Sequence, residues 1–268
     1  MNANAWSRVT SSNPCPVCGK ARWCGIAPDG RAVICMRVES SHPTRNGGWF
    51  HPVDGATPRP RPPIRQERAA AVGIDPAPLW REWHARTDAR DLARLAVGLG
   101  VDTAALRALG AAWAPPHRAW AFPMRDAAGG IVGIRLRAED GRKWAVRGGH
   151  EGLFVPDMPA EKIVAICEGP TDTAAALTLG LHSIGRPSCT GAARQTVEFI
   201  RRGRYERIVL VPDKDRPGKD GAARLARELP VPYATIIPPA KDLRAWVAQG
   251  AKRDAFNALL RHAIWRAP

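Results

Sequence analysis

Residues 163–180 read IVAICEGPTDTAAALTLG. Five apolar residues run without a break into Glu168, and a glycine and a proline follow. The first half reads as a strand buried on both faces, the second as a helix. A charge at the end of such a strand is costly unless something compensates it. The same alternation continues to residue 250. HSIGRPS (182–188) is a short strand and ARQTVEFIRR (193–202) a helix. RIVLVP (207–212) is a strand and KDGAARLARELP (219–230) a helix. YATIIPP (233–239) and DLRAWVAQG (242–250) complete the series. Unbroken apolar strands alternating with helices predict an α/β fold, a parallel sheet flanked by helices.

Two of these strands end in acid. One ends at Glu168, with Asp172 four residues on. The other runs into Asp213-Lys214-Asp215. Ligand sites of open parallel sheets lie at the carboxyl ends of strands, so Glu168, Asp213 and Asp215 are expected at one edge. Two carboxylates ~5 Å apart repel by roughly 3 kcal/mol at an effective dielectric near 20. A divalent cation turns that cost into binding, and hard oxygen ligands without His or Cys favour Mg²⁺ or Mn²⁺.

A second cluster lies near the N-terminus. CPVCGKARWCGIAPDGRAVIC supplies Cys15, Cys18, Cys24 and Cys35. A Cys-x-x-Cys knuckle presents two thiolates to one tetrahedral ion. The rest reads as a hairpin with Asp29-Gly30 as a type I′ turn, which sets Cys24 opposite Cys35. The expected ligand is Zn²⁺, worth roughly 10–16 kcal/mol in small fingers. His42 or His51 is the alternative to Cys24 as fourth ligand. Trp23, Trp49 and Phe50 are candidates for base stacking or for the core. Cys167 and Cys189 read as core residues.

The 268 residues carry 40 basic and 25 acidic side chains, a formal charge of +15. That surplus suggests a polyanionic partner. No stretch approaches the roughly 18–20 apolar residues of a membrane span, so a membrane is not expected as partner. The N-terminus lacks a signal-peptide core, and a cytoplasmic location is expected. ATPRPRPPIRQER (56–68) reads as a basic linker carrying Arg59, Arg61, Arg65 and Arg68. PLWREWHAR, ARDLARLAVGLG and DTAALRALG read as helices, the last capped by Asp102 or Thr103. In IVGIRLRAE, Val132, Ile134 and Leu136 alternate with Gly133, Arg135 and Arg137 as in a half-buried strand, with the arginines outward. RKWAVRG reads as its partner. No P-loop occurs in these residues, so a fused helicase motor is not expected.

The spacing strand-Glu-Gly-x-x-Asp, then strand-Asp-x-Asp-x-x-Gly-x-x-Gly (DKDRPGKDG, 213–221), resembles the Toprim domain over residues 160–250. KDLRAW (241–246) resembles the element that closes primase versions of that domain. A zinc ribbon, a linker and a Toprim domain in that order look like the bacterial and phage DNA primases. The resemblance implies segments 1–55 (zinc ribbon), 56–75 (linker), 76–158 (a small mixed α+β part of the core) and 159–268 (catalytic Toprim domain). It implies that Asp213 and Asp215 hold Mg²⁺, and that Glu168 is a general acid/base or a further ligand. Asp172 and Asp242 would support the site. Arg135, Arg137, Lys143, Arg147 and Lys241 would contact template or nucleotide phosphates. The implied activity is synthesis of short RNA primers on single-stranded DNA from nucleoside triphosphates, in a phage or mobile-element setting. A separate helicase would be a partner. A Toprim nuclease and a non-catalytic zinc-dependent DNA-binding factor are the alternatives. A strand-breaking enzyme is disfavoured, because Tyr205 and Tyr233 both fall within the sheet domain.

Overall fold

The computed structural model describes residues 6–44, 47–53, 75–159 and 161–268. The basic linker with Arg59, Arg61, Arg65 and Arg68 lies outside the described residues. The chain forms two compact units, Met1–Glu67 and Arg68–Pro268.

The first unit is an antiparallel sheet in the order β1 (Ser7–Arg8), β2 (Gly25–Ile26), β3 (Ala32–Cys35) and β4 (Trp49–Pro52). Gly25 opposes Ile34 and Ile26 opposes Val33, the register that brings Cys24 and Cys35 together. The turn that sets it differs from the expected one. The Gly30 N–H bonds the Ala27 carbonyl at 2.9 Å, so Pro28 and Asp29 are its central residues. Gly30 takes φ +70°, and Asp29 is not among the residues of positive φ. Proline fixes the first central position of an ordinary turn, which excludes the type I′ geometry while preserving the pairing. The small core consists of Val9 and Val33 with Cys15, Cys24 and Cys35, all buried.

The second unit opens with α1 (Pro76–Ala85), α2 (Ala89–Leu99) and α3 (Thr103–Ala108). Asp75 and Asp88 cap the first two, accepting from the Ala77 and Arg90 N–H groups. Asp102 occupies the cap position of α3 without a side-chain cap bond. An antiparallel sheet follows, in chain order: β5 (Ala112–Ala114), β6 (Ala119–Arg125), β7 (Ile131–Arg137) and β8 (Lys143–Ala145). Strands β5 and β6 are absent from the sequence reading. AWAFPMR does not alternate, because all but its last residue are buried. Its proline is tolerated because the partner β5 reaches only to Ala121, leaving Pro123 opposite β7 alone.

The parallel sheet has the order β10 (Ser183–Arg186), β9 (Ile163–Glu168), β11 (Arg207–Val211), β12 (Tyr233–Thr235). Its faces are covered by α4 (Gly169–Thr178), α5 (Ala193–Gly203), α6 (Arg216–Ala226), α7 (Leu243–Ala248) and α8 (Arg253–Arg261). Ala165, Cys167, Val209 and Val211 enter one apolar cluster. Val164, Ile166, Ile208 and Leu210 enter the other. Burial on both faces is why these strands read as unbroken apolar runs. Helix α6 begins three residues earlier than the sequence suggested, so Asp215 sits at a helix start. Between the two sheets, Leu153 pairs with Arg125 of β6, and Phe154 pairs with Gly185 of β10.

Candidate active site

Glu168 ends β9, and the chain turns at once through Gly169 at φ +73° into α4. That left-handed step is inexpensive only for glycine. Asp213 lies just beyond β11, and Asp215 caps α6 by accepting the Gly218 N–H at 2.8 Å. Gly218 marks the meeting point. A Cβ placed there would lie 2.7 Å from the Asp213 carbonyl oxygen and 2.9 Å from Glu168 Oε1. Burial and then the Asp213 charge, with Asp215 adding, push the Glu168 carboxyl up to about 7. Burial, Asp242 and Asp215 push Asp213 up to about 6, against Lys143 and Lys241. The acids therefore share one field. Among the described residues, however, the cysteines form the one set of three or more candidate ligands gathered tightly enough to share an ion.

Asp172 is 6% exposed. Its Oδ1 accepts the Arg244 N–H at 2.9 Å, tying α4 to the start of α7. Asp242 caps the same helix through the Ala245 N–H at 2.7 Å. The cations come from the antiparallel sheet, where Arg137 and Lys143 oppose each other across β7 and β8. Arg137 is not outward, contrary to the alternation. It is half-buried, and burial and Arg244 lower its pKa against the pull of Asp172 and Asp242. Lys143 is exposed as a residue; partial desolvation and Arg137 lower its pKa, while Asp172, Asp213 and Asp242 draw it the other way. Arg135 is also half-buried, reaching the Pro187 carbonyl at 3.4 Å. The face carrying both arginines is partly covered by the rest of the unit. Lys241 acts on Asp213, and its carbonyl accepts the Lys214 N–H at 2.9 Å. Arg147 is exposed and is not among the charges acting on these acids.

Sequence reading missed Arg186. It is 4% exposed, stands opposite Glu168 across β9 and β10, and donates from Nε to the Gly191 carbonyl at 3.0 Å. A lone arginine inside an apolar strand gives no periodic signal. Cys167 is buried beside Ser183, and Cys189 is half-buried. The Tyr205 hydroxyl is buried against His182 Nε2 at 3.0 Å, where it cannot serve as a nucleophile.

In the first unit, the Cys15, Cys18, Cys24 and Cys35 sulfurs all lie within 4.8 Å of one another. His42 Nδ1 instead contacts Ser41, and His51 Nε2 contacts the Val38 carbonyl. Cys24, and neither histidine, is the fourth member of this cluster. The Met36 N–H reaches the Cys24 sulfur at 3.4 Å and the Val38 N–H the Cys35 sulfur at 3.3 Å. Arg37 approaches Cys18 and Cys24. Burial would raise Cys18, but the Lys20 N–H and the three other thiols outweigh it and bring that thiol to about 6. Donors aimed at sulfur are the outer-shell support that thiolate sites use. Trp23 is 68% exposed, while Trp49 and Phe50 are half-buried on β4.

The second unit has the fold of primase catalytic cores. A DnaG primase catalytic domain bound to single-stranded DNA superposes with TM-score 0.56 at 15% identity, over 70% of this chain and 77% of that one. The E. coli primase catalytic core gives 0.54 at 15%, over 70% and 79%. The RNA polymerase domain of Mycobacterium tuberculosis primase DnaG, in complex with a double-stranded DNA oligomer, gives 0.51 at 16%, over 70% and 78%. No protein-family model and no curated protein matches the sequence.

Proposed function

We propose that the chain is a DNA primase, making short RNA primers on single-stranded DNA by metal-dependent nucleotidyl transfer. The observation that carries this reading is the opposition of two surfaces within one primase-like fold. Gly218 stands against the Asp213 carbonyl and Glu168 Oε1 while its N–H is held by Asp215, and Lys143, opposite Arg137 on the antiparallel sheet, lies within the electrostatic reach of Asp172, Asp213 and Asp242.

The donor set is all oxygen and fits Mg²⁺ or Mn²⁺. Asp213 and the Asp215 oxygen not used as a helix cap would hold the ion, with Glu168 beside them. When bound, the ion supplies charge neutralisation at the reacting phosphate. Arg137 and Lys143 orient the triphosphate and offset its charge. Glu168 accepts the proton of the attacking primer 3′-hydroxyl or completes the ligand set. Asp172 and Asp242 fix α7 and with it Lys241. The cysteine tetrad fits Zn²⁺ by ligand type and compactness, and the surplus of positive charge suits a DNA template. A cytoplasmic location, a phage or mobile-element setting and a separate helicase partner belong to this reading.

The test incubates the protein with single-stranded DNA, labelled nucleoside triphosphates and Mg²⁺, and resolves the products by size. Short ladders abolished by Asp213→Ala support the proposal. Shortening of the template indicates a nuclease, and binding without products indicates a non-catalytic factor.

A further inference from the structure

One file of directly opposed residues crosses the antiparallel sheet. Trp113 opposes Trp120, Trp120 opposes Arg137, and Arg137 opposes Lys143. Opposed residues project from the same face, so two indoles and two cations stand in a row. The indoles meet edge to face, their centroids 5.5 Å apart. Helix α2 leaves a cleft of about 530 Å³ against this row, lined by Trp113, Trp120, Arg137, Glu139 and the Asp91–Arg94 pair among others. Arg94 is engaged by Asp91. Arg137 makes no side-chain hydrogen bond or ion pair among the described residues. At the far end of the row, Lys143 feels the charge of Asp213.

We propose that this cleft is the base subsite for an incoming nucleoside triphosphate. The base stacks on Trp113, and the phosphates follow Arg137 and Lys143 toward Asp213. The inference rests on the primase reading and extends it. Three inter-strand steps of about 4.8 Å separate Trp113 from Lys143, comparable with an extended nucleoside triphosphate. The order aromatic, cation, carboxylate matches the order base, phosphate, metal-bound phosphate. A template strand has no triphosphate to set against both cations and the metal-holding acids. Aromatic stacking accepts any base, since each has a π-face. That suits a site where base identity is dictated by the template.

Calorimetric titration of the full chain with ATP and with inorganic triphosphate, in Mg²⁺ without template, tests the assignment. Trp113→Ala should weaken ATP roughly tenfold, as loss of one stacked base would, and leave triphosphate unchanged. Trp113→Phe should restore most of the preference for ATP. GTP, CTP and UTP should lose affinity in parallel. Equal losses for ATP and triphosphate, no rescue by phenylalanine, or a loss confined to single-stranded DNA would each overturn the subsite. A protein that binds ATP in this way but makes no primers would refute the primase reading and leave the subsite standing.

Discussion

Asp172→Asn should stabilise the second unit at alkaline pH while leaving it little changed in acid. The side chain is buried, and burial and then Asp242, with Asp213 adding, push its carboxyl up to about 7 from an ordinary 3.8, against the Arg244 N–H and Lys143. A carboxyl that holds its proton more tightly when folded stabilises the folded chain fully below its unfolded pKa. That contribution is lost as pH rises through the folded value. The window is therefore about pH 4 to 7, with stability falling as pH rises. Asparagine has no proton to lose and keeps an oxygen for the Arg244 N–H. At 1.36 kcal/mol per pH unit, its advantage should grow by about 3 kcal/mol between pH 5 and pH 8. Urea unfolding in magnesium-free buffer, followed by tryptophan fluorescence at both pH values, measures it. A difference that stays flat with pH, or an asparagine variant less stable at pH 8, would refute the account of Asp172 as a buried acid sustained at a cost.

Four further substitutions probe the rest of the structure. Gly218→Ala places a methyl group within 3 Å of the Asp213 carbonyl and Glu168 Oε1. It should cost about 1–3 kcal/mol of stability by overpacking and weaken Mn²⁺ binding at least tenfold, read by thermal unfolding and by metal titration. Cys24→Ser should reduce bound zinc well below one per chain in a colorimetric release assay and leave the thermal transition of the second unit in place. His42→Ala and His51→Ala should retain the metal.

Much of this was legible in the sequence, for identifiable reasons. The β-α alternation shows because β9 and β11 are buried on both faces and admit only apolar residues. The Cys24–Cys35 apposition shows because register follows from loop length, whichever turn type fills the loop. What stayed hidden depends on contacts remote in sequence. Asp172 meets the Arg244 backbone, and no local pattern links them. Arg186 gains its setting from lying opposite Glu168. Strand β6 is concealed by Pro123 and by burial on both faces. The arginines of β7 alternate as an exposed row would, and only the packing of the parallel-sheet half reverses that reading.

The short segment at Leu153 and Phe154 bonds to both sheets at once. Its amides and carbonyls exchange paired hydrogen bonds of 2.7 and 2.8 Å with Arg125, and of 2.9 Å each way with Gly185. It acts as a weld across the second unit, so one sheet cannot swing on the other without breaking these bonds. Adjustment must come from side-chain rotation and loop displacement, and amide exchange at residues 153, 154 and 185 should be among the slowest in the molecule.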